Sequence, residues 1–477
     1  MKDELLNYLK SSISRNWLDY YAEESESNGG QTKAESYSQD LYRSTEHKLA
    51  KIQSFGAQNK QKLTIFVSAE NPIDFISAFL AGVIAETHIF LCNPNWQQRE
   101  WEQVLNLVKP DLVFGNPAVK SLTARQNRRV APPTIENKSL IMIPTGGTSG
   151  RIKFAIHTWS TLKASVVGFK QFFDCPRINS WCTLPFYHVS GLMQLMRSLV
   201  TQGNLVICPY QLSPTIKLDR SKYFVSLVPT QLQYLLDRHP EWLKQFQTVL
   251  VGGAPSRRSL LDRARKEKIA IALIYGSTET ASGVVALKPE DFWAGNNSNG
   301  RVLPHARVSI DRIPSIDLDR NSDRLGSIAI DSTSLCLGYY PQLVTSPQPL
   351  ITDDLGYFDS RKYLYLVGRN SHKIITGGEN VFPQEVEAAV YATQLVEDVC
   401  VLGIPDRHWG QAVTAVYVPH HNQSNLSTAI EQRIQSQLAK YKQPKNWIEV
   451  KYIPRNERGK IDYQQLKAIA VQKILGK

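Results

Sequence analysis

A short segment rich in glycine and hydroxyl side chains is the clearest sign of chemistry in this sequence. After the apolar run of residues 141–143, residues 145–150 read Thr-Gly-Gly-Thr-Ser-Gly, and Lys153 follows. Glycines let backbone N–H groups approach an anion, while hydroxyls and an ammonium group add donors and positive charge. The segment therefore predicts a polyphosphate-binding loop, although a flexible turn has a similar composition. It is not a Walker A loop, because no Gly-Lys-Ser/Thr follows at the required spacing, and not a nucleophile elbow, because Gly150 directly follows Ser149.

Three further polar segments each follow a predicted strand. They are Pro-Thr at 229–230 after the strand 225–228, Gly-Gly-Ala-Pro at 252–255 after 249–251, and Tyr-Gly-Ser-Thr-Glu-Thr at 275–280 after 271–274. In an open α/β sheet, ligands bind outside the carboxyl ends of the strands. We therefore expect these segments to line one binding site.

The elements that must position these residues follow an α/β pattern. Apolar runs alternate with helical patterns in the order 63–68, 72–81, 89–92, 97–108 and 112–114. This order is typical of βαβ units in a mostly parallel sheet. Short alternating segments after residue 301 indicate a small antiparallel region. The predicted large N-terminal domain of α/β sheets, with this small β region, spans residues 1–368.

A compact α+β pattern begins near residue 368. It predicts helices at 383–393 and 426–440, and strands near 399–402 and 412–418. We therefore expect a small α+β C-terminal domain at 369–477.

The composition restricts the class of protein. The chain has 477 residues, 42% apolar and 21% charged, as in ordinary globular proteins, and a formal net charge of +12. The basic excess is spread along the chain without a clustered basic and aromatic pattern, so we expect no nucleic-acid partner. No run approaches the ~20 apolar residues of a membrane span. Six scattered cysteines without a CxxC pair, and acidic residues at the N-terminus, favour a cytoplasmic protein without a zinc site.

Six motifs in order resemble those of the acyl-adenylate-forming superfamily, which includes acyl-CoA synthetases, adenylation domains and luciferases. The matching segments are residues 144–153, 275–280, 352–356, 368–380, 383–387 and 454–460. They extend over roughly two thirds of the chain. Six motifs in register are far more specific than any one of them.

The resemblance implies an ATP-dependent acid–thiol ligase, which activates a carboxylate as an acyl-AMP and transfers the acyl group to a thiol. Because the carboxylate and the α-phosphate are both anions, the site must supply positive charge that is already aimed. By resemblance, Lys460 bridges these anions. Glu279 and Thr148 would bind Mg²⁺, a cation that prefers oxygen ligands. Asp354 would accept the two ribose hydroxyls, and Arg369 would donate to the same sugar.

The resemblance also implies which residues form each site. The expected catalytic residues are Lys460, Glu279 and His188. The ATP- or AMP-binding set comprises Thr145, Gly146, Gly147, Thr148, Ser149, Gly150, Lys153, Gly253, Ala254, Pro255, Tyr275, Gly276, Ser277, Thr278, Asp354 and Arg369. The acid pocket would contain His188, Ser190, Gly191 and Gly252, with a packed core histidine as the alternative for His188. After rotation of the C-terminal domain as a mobile lid, Gly377 and Gly378 would line a tunnel for coenzyme A.

The pivot of that rotation departs from the family pattern. The family usually has Asp or Lys there, whereas this sequence has Ser371, followed by His372. An exposed histidine is the expectation for His372.

The acceptor and the acid are separate questions. Only 17 residues follow Lys460, so free coenzyme A is the expected thiol. The chain most resembles the branch of the family that activates 2-succinylbenzoate in menaquinone or phylloquinone synthesis. Arg197 and Lys222 are candidates to bind the second carboxylate of that acid. Another aryl- or acyl-CoA ligase and a non-catalytic nucleotide-binding protein remain alternatives, and the sequence leaves monomer and homodimer open.

Overall fold

Four β-sheets organise the part of the chain that the computed structural model describes. The described residues are 2–21, 35–57, 62–115, 139–146, 152–312, 325–344, 348–420, 426–456 and 459–475. The helices are α1 (Lys2–Ser12), α2 (Ser38–Gly56), α3 (Pro72–Ile84), α4 (Gln98–Leu107), α5 (Trp159–Phe172), α6 (Val189–Thr201), α7 (Pro229–Arg238), α8 (Pro240–Leu243), α9 (Arg258–Lys266), α10 (Pro289–Trp293), α11 (Pro383–Ala392), α12 (Leu426–Ile434) and α13 (Tyr463–Leu475).

The strands are likewise numbered in their order along the chain. They are β1 (Leu18–Tyr20), β2 (Glu35–Ser36), β3 (Thr64–Ser68), β4 (His88–Leu91), β5 (Leu112–Gly115), β6 (Ile141–Gly146), β7 (Ile152–His157), β8 (Asn179–Cys182), β9 (Leu205–Ile207), β10 (Tyr223–Leu227), β11 (Thr248–Gly252), β12 (Ile271–Ser277), β13 (Ser282–Leu287), β14 (Arg301–Val302), β15 (Ala306–Arg312), β16 (Gly326–Ser332), β17 (Gly338–Tyr339), β18 (Gln342–Leu343), β19 (Leu350–Phe358), β20 (Leu364–Arg369), β21 (Ile374–Thr376), β22 (Glu379–Val381), β23 (Val396–Asp406), β24 (Gly410–Pro419) and β25 (Asn446–Glu449).

A seven-stranded sheet contains the first predicted βαβ units. Its order is β18-β17-β7-β6-β4-β3-β5, and β6, β4, β3 and β5 pair in parallel. All five residues of β3 are buried, as expected for a parallel strand covered on both faces. The following helix α3 begins at Pro72 because the Asn71 side chain accepts hydrogen bonds from the N–H groups of Ile73 and Asp74.

A nine-stranded sheet carries the other predicted strands. Its order is β14-β13-β12-β11-β10-β8-β9-β1-β2, with β8, β10, β11 and β12 parallel. One apolar core joins this sheet to the seven-stranded sheet through α3 and α6. The carboxyl ends of the four parallel strands therefore lie along one edge, as the sequence predicts.

Two smaller sheets complete the fold. The predicted antiparallel region after residue 301 is the sheet β15-β16-β19-β20. The C-terminal sheet has β22, β21, β24 and β23 in order, with β25 pairing in parallel with β24. Helices α11, α12 and α13 pack on it around apolar cores of their own. The mixed α/β class and the small C-terminal domain are confirmed, whereas the predicted helix 426–440 ends at Ile434.

None of the helices within the described ranges combines the length and the apolar character needed to cross a membrane.

A carboxyl group is buried inside the C-terminal domain. Glu387 lies on α11, and its Oε1 accepts a hydrogen bond of 2.8 Å from the N–H of Val401. Burial, which disfavours the charged form, raises the pKa of Glu387 to about 7. The folded protein therefore retains a proton that the unfolded chain releases at lower pH.

This proton makes the stability of the protein depend on pH. The pKa of Glu387 is raised on folding. Its contribution to the free energy of unfolding is therefore complete below the ordinary pKa of 4.5 and is lost as the pH rises to about 7. The loss is on the order of 3 kcal/mol. In the variant Glu387→Gln, which keeps the acceptor oxygen, this fall should be absent. Denaturant unfolding of both proteins at pH 5 and pH 8 measures this fall in stability. Glu385→Gln, on the same helix, is the control. An identical pH dependence in all three proteins contradicts the raised pKa of Glu387.

Candidate active site

Three predicted nucleotide-binding residues meet where the nine-stranded sheet and the antiparallel sheet approach each other. The Tyr275 hydroxyl donates a 3.0 Å hydrogen bond to Oδ2 of Asp354, and the Arg369 Nε donates one of 3.1 Å to Oδ1. Asp354 and Arg369 are register partners in β19 and β20. Burial, together with the Asp354 charge, raises the pKa of Tyr275, so this phenol remains a donor. Each oxygen of Asp354 retains a second lone pair, and the two could accept the paired hydroxyls of a ribose.

A second contact brings Glu279 and Lys153 together. The Tyr339 hydroxyl donates to Oε1 of Glu279 at 2.6 Å, and the Lys153 Nζ lies 5.5 Å from the centroid of the same ring. Lys153 is also the register partner of Thr145. Burial and the neighbouring carboxylate raise the pKa of Tyr339. Tyr339 was not among the predicted site residues, because only the folded chain places it beside a glutamate 60 positions earlier.

The predicted phosphate loop connects β6 to β7. Gly147, Thr148, Ser149 and Gly150 lie outside the described residues, and Gly146 ends β6. The described ends of the loop, which carry Thr145 and Lys153, face each other across the β6–β7 pair.

Glu279 is the carboxylate expected to bind a magnesium ion. Among the described residues, no group of three or more His, Cys, Asp or Glu side chains could hold a metal. One carboxylate that shares its site with phosphate oxygens is a usual arrangement for Mg²⁺, which rarely occupies a cage made only of protein ligands. Glu279 therefore fits the role of the protein carboxylate, and the expected hydroxyl of Thr148 lies outside the described residues.

The loop that carries Glu279 is fixed by a close backbone approach at Gly276 and by a contact between His157 and the Thr278 carbonyl. A Cβ on Gly276 would lie 1.9 Å from the Ser282 carbonyl oxygen, so only glycine fits there. The His157 Nε2 lies 2.8 Å from the carbonyl oxygen of Thr278. Because burial lowers the pKa of His157 to about 4, the ring is neutral and can donate to that carbonyl. His157, which the sequence did not single out, thus fixes the residue next to Glu279.

The predicted acid-pocket residues follow β8 and β11. His188 immediately precedes α6, with its ring centroid 4.6 Å from that of Tyr187. His188 is partly exposed, which favours the acid-pocket prediction over a packed core histidine. Ser190 is exposed, and a Cβ on Gly191 would lie 2.2 Å from the Pro185 carbonyl oxygen.

The loop after β11 adds the remaining predicted glycine and nucleotide positions. Gly252 ends the strand, and a Cβ there would lie 2.8 Å from the Ile274 carbonyl oxygen. Gly253 follows with a φ of +81°, which favours glycine. With Ala254 and Pro255, these residues occupy the carboxyl edge of the parallel strands.

The two basic candidates for a second carboxylate have different surroundings. Arg197 on α6 is buried, and its guanidinium carbon lies 4.1 Å from the centroid of the Phe169 ring. Its Nη2 donates to Ser282 Oγ at 3.3 Å, whereas its Nε has no hydrogen-bond partner among the described residues. Burial lowers the pKa of Arg197 to about 10. Lys222, in contrast, is exposed and precedes β10, at the edge of the sheet opposite the site.

The Lys460 loop of the C-terminal domain reaches the same edge. Gly459 has a φ of +70°, and a Cβ on it would lie 2.9 Å from the Thr230 Oγ1. Thr230 belongs to one of the polar segments predicted to line the site. Within the loop, Asn456 Oδ1 accepts a hydrogen bond of 3.1 Å from the Lys460 N–H. The structure thus brings the Lys460 loop to the strand ends that carry the nucleotide-binding candidates.

The predicted coenzyme A glycines lie elsewhere in the C-terminal domain. Gly377 and Gly378 form the turn between β21 and β22 with positive φ values of 58° and 86°. The Gly377 N–H donates to the Trp409 carbonyl at 2.8 Å. No described contact joins this turn to the Lys460 loop, and the coenzyme A assignment stays a prediction.

The pivot contains an unexpected pair. Oδ1 of Asp353 accepts a 3.0 Å hydrogen bond from the Ser371 N–H, and Oδ2 accepts one from the Ser371 hydroxyl. Ser371, at which the sequence departs from the family pattern, thus binds this one carboxylate through both its backbone and its side chain. His372 is half-buried, with its ring centroid 4.4 Å from that of Tyr463, and burial lowers its pKa. The expectation of an exposed histidine is therefore wrong, because Tyr463 of α13 covers it.

Known proteins are similar to this chain along most of its length. The model of the AMP-binding enzyme family matches residues 40–340, and that of the AMP-binding enzyme C-terminal domain matches residues 385–460. The 2-succinylbenzoate–CoA ligase of Oceanobacillus iheyensis is 31% identical over 337 residues, which cover 67% of this chain and 68% of that protein. The ligase of the same name from Enterococcus faecalis is 28% identical over 448 residues, or 88% of this chain and 91% of that protein.

Two solved structures share the fold. The o-succinylbenzoate CoA synthetase (MenE) of Bacillus subtilis in complex with the acyl-adenylate OSB-AMP superimposes with a TM-score of 0.76 at 22% identity, covering 97% of this chain and 98% of that one. ATP-bound MatB of Rhodopseudomonas palustris gives 0.79 at 20% identity, covering 98% and 99%.

The contacts of Asp354 lead to a test of nucleotide binding. In Asp354→Ala the acceptor for the ribose hydroxyls is removed, and ATP binding should weaken by about 1–3 kcal/mol, the cost of a lost charge-assisted hydrogen bond. Titration calorimetry with ATP measures the change. Asp331→Ala, an exposed carboxylate on β16 of the same sheet, is the control and should bind ATP as the wild type does. Unchanged ATP affinity in Asp354→Ala argues against the ribose assignment.

Proposed function

The chain belongs to the AMP-binding enzyme family, and we propose that its acid substrate is 2-succinylbenzoate. It is an AMP-forming acid–CoA ligase that uses ATP, Mg²⁺ and coenzyme A. The observation that carries the active-site assignment is the approach of the Lys460 loop to the strand ends beside Thr230. The reaction would supply a thioester for menaquinone or phylloquinone synthesis.

The first half-reaction joins two anions. A carboxylate attacks the α-phosphorus of ATP, and pyrophosphate leaves. Lys460 is an exposed residue, and its ammonium can neutralise the charge that accumulates between the carboxylate and the α-phosphate. Mg²⁺ bound at Glu279 would supply further positive charge to the phosphates.

The antiparallel sheet supplies residues that would hold the nucleoside. Asp354 accepts the ribose hydroxyls while Arg369 and Tyr275 fix the carboxylate in place. The Tyr275 ring offers a flat surface for adenine. Because these two contacts fix the orientation of the Asp354 carboxylate, the site is preorganised for ATP.

The choice of acid rests on Arg197 and on the similarity to the 2-succinylbenzoate–CoA ligases. A buried guanidinium without a carboxylate partner among the described residues is costly unless a ligand supplies one. Arg197 lies beside Ser282, which pairs with Ser277 at the end of β12. We propose that it balances the second carboxylate of 2-succinylbenzoate.

A cytoplasmic location fits this reaction. ATP and coenzyme A are cytosolic substrates, and all six cysteines are free, as in proteins of a reducing compartment.

The role of Lys460 predicts a separation of the two half-reactions. In Lys460→Ala, formation of the acyl-adenylate should slow by about 100- to 1,000-fold, because the preorganised charge is lost. Formation of the thioester from a supplied acyl-adenylate and coenzyme A should continue. Rapid-quench assays of each step measure this, with Lys467→Ala, an exposed lysine on α13, as the control. Equal loss in both steps contradicts the assigned role.

The role of Arg197 predicts the acid preference. The wild type should release AMP with 2-succinylbenzoate far faster than with 3-benzoylpropionate, which lacks the ring carboxylate. In Arg197→Met, kcat/KM for 2-succinylbenzoate should fall about 10- to 100-fold, as expected when a charge-assisted contact is lost, while that for 3-benzoylpropionate stays unchanged. Lys222→Met is the matched control and should behave as the wild type.

The same assay with fatty and benzoic acids tests the substrate itself. No turnover of 2-succinylbenzoate, together with clear turnover of one of these acids, excludes the proposed substrate but keeps the ligase chemistry.

A further inference from the structure

One carboxylate joins the two domains directly. Asp398 lies on β23 of the C-terminal domain, and its Oδ1 is 2.5 Å from Nη2 of Arg257, which precedes α9 in the N-terminal domain. Its Oδ2 is 2.8 Å from Nη2 of Arg455, in the same domain as Asp398. The carboxylate therefore lies between two guanidinium groups, one from each domain.

Further donors fix the position of this carboxylate. The Tyr391 hydroxyl and the Val399 N–H both donate to Oδ1, at 2.6 Å and 2.9 Å. Arg257 makes additional contacts with the C-terminal domain. Its Nη1 donates to the Glu397 carbonyl at 2.7 Å, and its guanidinium carbon lies 4.9 Å from the centroid of the Tyr391 ring. Because the side chain of Asp398 is only 14% exposed, water screens these charges less than at an open surface.

The contact continues to the Lys460 loop. Nη1 of Arg455 donates to the Gly459 carbonyl at 3.1 Å. Gly459 is the residue that packs against Thr230, and Lys460 follows it. A continuous path of hydrogen bonds thus leads from Arg257, through Asp398 and Arg455, to the residue before Lys460.

The N-terminal end of this path belongs to the site. Arg257 is two residues after Pro255, in the loop at the carboxyl end of β11. The same loop therefore carries predicted nucleotide-binding residues and holds the domain that supplies the lysine.

We propose that Arg257, Asp398 and Arg455 are positioning residues for the first half-reaction. They hold the Lys460 loop against the N-terminal domain, at the distance from the strand ends that acyl-adenylate formation requires. Arg257 does not act on the reactants itself. This inference rests on the proposed role of Lys460.

The variant Arg257→Ala removes the link between domains but leaves the Asp398–Arg455 pair in place. The kcat for acyl-adenylate formation should fall about 10- to 100-fold, while KM for ATP stays within about twofold, as expected when a positioning contact and not a ligand contact is lost. Thioester formation from supplied acyl-adenylate should keep the wild-type rate, because it needs no ammonium between a carboxylate and a phosphate. Arg257→Lys, which retains the charge, should recover part of the lost rate.

Arg258→Ala is the matched control. Arg258 is adjacent in sequence, and its guanidinium pairs with Asp262 on its own helix at 3.1 Å. This variant should match the wild type in both half-reactions. Thermal unfolding of every variant identifies a loss that comes from misfolding.

The outcomes separate this inference from the proposed function. If Lys460→Ala loses adenylate formation and Arg257→Ala does not, the positioning role is wrong and the role of Lys460 stands. An equal fall of both half-reactions in a folded Arg257→Ala also overturns the positioning role. If the wild type forms no acyl-adenylate with any acid tested, the proposed function itself is wrong.

Discussion

Parallel pairing of β8, β10, β11 and β12 is the constraint on which the candidate site depends. Because these strands run in one direction, the segments that follow them emerge at one edge of the nine-stranded sheet. Residues as distant in sequence as His188 and Glu279 thereby belong to one surface. The antiparallel sheet then adds Asp354 and Arg369, and the C-terminal domain adds Lys460. An antiparallel arrangement of the same strands would direct half of these segments to the opposite edge.

The carboxylates of the candidate site are held in position by neighbouring side chains. Tyr275 and Arg369 hold Asp354, Tyr339 holds Glu279, and neutral His157 holds the backbone before it. Such contacts restrict the rotamers of the acidic groups. The diffuse net charge of +12 suits polyanionic substrates such as ATP and coenzyme A. The side-chain contacts thus act within the site, whereas the net charge acts on substrates at longer range.

The sequence predicted the strand positions, the alternation of elements and the segments at the strand ends, because all three depend on local patterns. It did not predict pairs of distant residues such as Tyr339 with Glu279 or Arg257 with Asp398, since no local pattern specifies which long-range partners meet. The helix predicted at 426–440 was too long for a related reason. Beyond Ile434 the chain forms turns, as in the Gln437 N–H to Ile434 carbonyl hydrogen bond of 2.9 Å, yet Leu438 stays buried. The apolar spacing in the sequence therefore continues past the last residue of the helix.

The contact between Asp353 and Ser371 restricts how this sequence can diverge. The family usually has aspartate or lysine at the pivot. Aspartate at 371 would place two carboxylates in contact while Asp353 remains, whereas lysine there would meet an opposite charge. The aspartate form therefore carries a like-charge repulsion as long as Asp353 remains, and the lysine form does not. One hydrogen-bonded pair thus makes the two family forms unequally accessible from this chain.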